Sequence, residues 1–175
     1  MTAELILESP DAWGQDPDSL QPLADLAVAA ALKVGLSSPT AQTDEPTLSI
    51  ALIDDARMTE LNGEFRDQAK PTNVLSWPSY EGDSPEDVIP AGLDDGPALY
   101  WGDMALAGET VIREATEQKK AFEAHLSHLI IHGVLHLLGH DHIEDDEAER
   151  MEALERLALK SLGYPDPYGD HEDAA

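Results

Sequence analysis

Cysteine is absent from all 175 residues, which excludes disulfide bridges, thiolate metal ligands and cysteine nucleophiles. Positive charge is scarce. Ten Lys and Arg stand against 36 Asp and Glu, a formal net charge of -26. That balance disfavours non-specific nucleic-acid binding and adhesion to anionic membranes, because both need a basic surface. No DNA partner and no membrane partner is therefore expected. No uncharged apolar run approaches the roughly 20 residues that span a bilayer. The opening Met-Thr-Ala-Glu lacks the basic and then apolar pattern of a secretory leader, so a cytoplasmic location is the expectation.

What is present points to a globular chain. Apolar residues make up 42% and charged residues 26%, enough to bury a core. The length suits one domain. The expected division is a single domain over 1–163 and a mobile acidic tail over 164–175, where Pro, Gly and acids accumulate.

Hydrophobic spacing predicts the elements. Glu4 to Glu8 has the alternation of a short strand, and a Pro- and Asp-rich link follows. Leu20 to Leu36 has the period of a helix, with Leu23, Leu26, Ala27, Ala30 and Val34 on its apolar stripe. Thr47 to Ile53 alternates as a strand, and Asp54-Asp55 offers an N-cap for a helix over Ala56 to Phe65. Strands are expected over Val74 to Trp77 and Leu99 to Ala107. Between them, 78–98 carries four Pro and six acids, so it is a loop long enough to act as a lid or stay disordered. Helices are expected over Gly108 to Lys120, Ala124 to Leu138 and Glu144 to Leu162. In the last, Ala148, Met151, Leu154, Leu157 and Ala158 are assigned to the core and the acids to a solvated face. Strands first and helices last predict an α+β fold, a small mixed sheet packed against several helices.

Six of the seven histidines fall between 125 and 142. His132 and His136 are four apart, one turn above each other on a helix face. Gly139 can end that helix and let the chain bring His142 back toward the same point. Three neutral imidazoles with one open position describe a catalytic zinc site. His128 and His132 have ligand spacing too, but only the downstream pair is followed by Gly139 and a third His. The assignment is therefore one Zn2+ on His132, His136 and His142, with His125 and His128 orienting ligands or lying on the surface. The affinity order of divalent metals leaves nickel or iron open as well.

The spacing is also that of metzincin proteases, H-E-x-x-H-x-x-G-x-x-H. Where they carry the Glu that acts as general base, this chain has Gly133. Asp141 is close in sequence, but a carboxylate there more often orients a ligand imidazole.

A second constellation lies upstream: Leu61-Asn62-Gly63-Glu64-Phe65-Arg66, then Lys70-Pro71-Thr72-Asn73-Val74-Leu75-Ser76-Trp77-Pro78. Together with the run from His132 to His142, and with Gly102-Asp103-Met104, it resembles the YbeY family of bacterial endoribonucleases and rRNA maturation factors over about 46–160. The resemblance implies zinc on His132, His136 and His142, with Arg66 in the position of the family's catalytic arginine beside the metal and His132 in the catalytic set. It implies a zinc-dependent, single-strand-specific endoribonuclease acting in small-subunit (16S) rRNA 3′-end maturation and ribosome quality control, with rRNA and the small ribosomal subunit and its proteins as partners. Lys70 is a candidate phosphate contact. The chain departs from the family pattern at Gln68 and Ala69, where Lys and Asp are usual, at His140 for Tyr and at Trp77 for Phe. His140 is a possible competitor for the metal, placed less favourably by Gly139. The two other readings are a non-catalytic assembly factor with a structural zinc, and a metalloprotease with an atypical base.

Overall fold

The computed structural model describes residues 3–14, 16–36, 48–66, 72–79, 100–140 and 144–168. In chain order the elements are β1 (Ala3–Leu7), α1 (Pro10–Trp13), α2 (Pro17–Gly35), β2 (Leu48–Ile53), α3 (Asp55–Arg66), β3 (Val74–Pro78) and β4 (Gly102–Ala107). The helices α4 (Gly108–Glu117), α5 (Phe122–Leu137) and α6 (Asp145–Ser161) follow. The sheet order is β1-β2-β4-β3. β1, β2 and β4 run parallel, whereas β3 is antiparallel to β4. This is the mixed sheet of an α+β fold, as expected.

Local chemistry explains the boundaries. Asp16 accepts from the Asp18 amide and Pro follows at the first helical position, so α2 begins there. Asp54 caps α3 by accepting from the Arg57 amide at 2.7 Å. Asp55 then reaches across to α4, accepting from both the amide and the hydroxyl of Thr110, while Glu109 accepts from the Asp55 amide. The starts of α3 and α4 thus cap one another.

The larger core lies between the sheet and α2, α5 and α6, filled by Leu48, Ile50, Leu52, Met104 and Leu106 from the strands. A smaller core lies beneath α3, where Met58 and Leu61 cover Ile53, Leu75, Ala105 and Ala107. No helix of the described residues is long and apolar enough to cross a membrane.

Three expectations are corrected. The Pro- and Asp-rich link contains the helix α1, which buries Trp13 completely and lets its Nε1–H donate to the Ile53 carbonyl at 3.1 Å. On α2 Ala27 and Ala30 are buried as expected, with Leu23 and Val34 packed beside them, but the inward stripe also takes in Leu20, Ala24, Val28 and Ala31, while Leu26 is 60% exposed. On α6 Leu157 is 56% exposed and Leu159 takes its place in the core. A stripe several residues wide leaves its centre undetermined until the neighbouring helices are in place.

Candidate metal centre

The centre is built on α5 where it crosses β3 and β4. β-register sets Ser76 opposite Met104, and α5 lays Gly133 directly over this pair. A Cβ at Gly133 would overlap Met104 Cε and lie 3.0 Å from its Sδ and 3.1 Å from Ser76 Oγ. The position that holds the base in metzincins therefore faces a packed sheet, where a side chain would have to displace the end of Met104.

His132 immediately precedes Gly133 and His136 follows it by three residues, so the adjoining face of α5 carries both imidazoles. His132 Nε2 and His136 Nε2 lie 3.1 Å apart, with ring centroids at 4.6 Å. Two nitrogens bound to one tetrahedral zinc at ~2.0–2.1 Å would lie about 3.3 Å apart, so this pair fits a shared ion. The other nitrogen of His132 fixes the tautomer. Its Nδ1–H donates to Glu155 Oε1 of α6 at 2.5 Å, which leaves the Nε2 lone pair facing His136. The helix ends as expected: Gly139 has φ 97°, and the His140 amide bonds back to the Leu135 carbonyl. His140 Nε2 is 3.5 Å from the Gly35 carbonyl, turned toward α2.

Glu155 is fully buried. Its second oxygen accepts from His128 Nε2 at 3.4 Å and from the Tyr168 hydroxyl. Burial alone would raise its pKa. The bonds from His128, His132 and Tyr168 outweigh that and bring it to about 2. Tyr168 is pushed up, by burial first and then by Glu155, so its phenol stays a donor. His125 donates to Glu114 at 3.2 Å, and Glu114 also accepts from Asn73 at the start of β3. His125 and His128 are thus held by carboxylates in the interior, and neither is a surface residue.

The sequence model described as endoribonuclease YbeY matches residues 18–163. The chain belongs to this family. It is 48% identical over 155 residues to the endoribonuclease YbeY of Sinorhizobium fredii, covering 87% of this chain and 84% of that protein. It is 44% identical over 171 residues to the endoribonuclease YbeY of a Bradyrhizobium species, covering 98% and 94%. The fold is similar to the solution structure of TM1509 from Thermotoga maritima, with a TM-score of 0.53 and 22% identity over 96% of this chain and 99% of that one.

Of the residues singled out in the sequence, the structure brings His132 and His136 together. His142 and Lys70 lie outside the described residues, as do Gln68, Ala69, Asp141 and most of the loop 78–98. Among the described residues no group of three or more His, Cys, Asp or Glu could hold a metal ion. Arg66 is the last residue of α3, and its side chain lies outside what is described. Arg57 sits at the other end of α3, about 13 Å away along the axis, paired with Glu60. Arg113 is bonded to Thr110 and lies 3.8 Å from Asp55.

Sequence reasoning missed Glu155 and Tyr168. Glu155 had a signal. It is four residues after Met151 and three and four before Ala158 and Leu159, a lone acid inside the apolar stripe of α6. Tyr168 had none.

Proposed function

We propose that this chain is a zinc-dependent, single-strand-specific endoribonuclease that matures the 3′ end of small-subunit rRNA and acts in ribosome quality control. The observation that carries the reading is the convergence of His132 Nε2 and His136 Nε2, with Glu155 setting the tautomer of His132. Membership in a family named for endoribonuclease activity supports RNA as the substrate class.

His132 and His136, joined by His142 later in the chain, would hold the ion. Zinc in such a site supplies a Lewis acid for a phosphoryl oxygen and lowers the pKa of bound water. Glu155 keeps His132 a lone-pair donor on the metal side. Arg66 offers a planar, permanently charged fork for the scissile phosphate, stabilising charge as it develops. The glycine at 133 speaks against a peptidase, since it supplies no base and faces the sheet at Met104. A net charge of -26 opposes capture of free RNA, so delivery by a ribosomal partner fits the chain better than capture from solution.

The test is cleavage of an RNA carrying the precursor 3′ end by wild type, His136→Ala and Arg66→Ala, each with and without a chelator. Wild type is expected to cut, and both folded variants and the chelated enzyme to fail. Equal cutting by all three preparations would overturn the nuclease reading in favour of an assembly factor. Product ends identify the nucleophile, because a 2′,3′-cyclic phosphate requires the RNA 2′-hydroxyl.

A further inference from the structure

Beyond α6 the chain folds back over its own helix instead of leaving the surface. The Tyr164 amide bonds the Leu159 carbonyl at 3.0 Å, and the Tyr164 side chain packs on the larger core. Asp166 Oδ1 accepts from Arg156 Nε at 3.1 Å and from the Tyr168 amide at 2.8 Å. Lys120, at the turn between α4 and α5, donates to the Pro167 carbonyl at 3.4 Å. These ties aim Tyr168 inward. Its ring lies edge-on to His128 at 5.5 Å between centroids, under the Arg156 guanidinium at 5.3 Å, and its hydroxyl reaches the buried Glu155.

From this we infer that residues 164–168 are a strap whose Tyr168 is a positioning residue for the metal centre, acting through Glu155 on His132. The inference rests on the zinc reading above. Its logic is geometric. A carboxylate can orient an imidazole only if its own plane is held, and Glu155 is held on the far side by Tyr168 and the longer bond from His128. Remove the hydroxyl and Oε2 keeps only the 3.4 Å partner, so the carboxylate can turn and the His132 ring with it. Outer partners of this kind contribute to metal affinity without touching the metal.

The experiment measures Zn2+ affinity of the full chain by competition with a chromophoric chelator, for wild type, Tyr168→Phe, Tyr168→Ala, His136→Ala and a chain ending at Tyr168. Thermal melting of each metal-free protein is recorded alongside. Tyr168→Phe keeps the ring and its packing and loses only the donor. It is expected to bind Zn2+ about 10-fold more weakly, the low end for an outer partner, with an unchanged metal-free melting temperature. Tyr168→Ala should bind more weakly still, and the chain ending at Tyr168 should match wild type. Wild-type affinity in Tyr168→Phe would overturn the strap while leaving the zinc site intact. Equal, weak binding by wild type and His136→Ala would overturn the zinc reading itself, and the strap with it. A Tyr168→Phe loss that merely tracks a lower melting temperature would assign Tyr168 to packing alone and also overturn the inference.

Discussion

His132 and Glu155 belong to different helices and are 23 residues apart, yet the Nδ1–H of the first meets Oε1 of the second at 2.5 Å. This contact commits one imidazole nitrogen to the protein and turns the other toward His136. Glu155→Gln keeps the shape and removes the charge, and sets an amide NH2 against the His128 and Tyr168 donors. The expected result is a loss of about 10–100-fold in Zn2+ affinity, measured by chelator competition. Unchanged affinity would separate Glu155 from the metal.

Gly133 provides a sharper test of the peptidase alternative. Gly133→Glu restores the metzincin consensus but drives a carboxylate into Met104 and the sheet. Overpacking and burial of an unpaired charge should destabilise the fold by about 3 kcal/mol or more. Thermal melting should report the loss, with no peptide hydrolysis gained. A Gly133→Glu variant that stays stable and cleaves peptides would contradict the packing described.

Trp13 anchors the first helix through both its ring and its Nε1–H. Trp13→Phe gives up the bond to the Ile53 carbonyl and should cost about 1 kcal/mol. Trp13→Ala empties a fully buried site and should cost about 3–5 kcal/mol. Urea unfolding midpoints distinguish the two, and equal midpoints would remove α1 from the core.

Glu114 carries a pH signature away from the metal centre. The bond from His125 first, opposed by partial burial and assisted by the bond from Asn73, holds its pKa below the ordinary 4.5. A carboxylate depressed in the folded state adds stability that is present above pH 4.5 and lost as pH falls through the folded value. Glu114→Gln should therefore be less stable than wild type at neutral pH, and the gap should close as pH falls below 4.5 and through the folded value. A gap constant with pH would mean that Glu114 is not held as an ion.

Most elements were legible because their signals are local. Alternation in β2, the Asp54 cap and the glycine stop at Gly139 each depend on a few neighbouring residues. The pairing of His132 with His136 was legible for the same reason, since a four-residue spacing on a helix fixes adjacency by itself. Helix α1 was not, because its four residues have no period and their stability comes from Trp13 meeting Ile53, 40 positions away.

The amino-acid sequence by itself determined the fold class, the family motifs and the two imidazoles one turn apart, all properties of backbone geometry over short range. Tertiary structure alone decided which acid of α6 turns inward, that Gly133 faces Met104, and that Tyr168 reaches Glu155. Each of these depends on how one helix is rotated against another, and that rotation is set by the packing of the whole core.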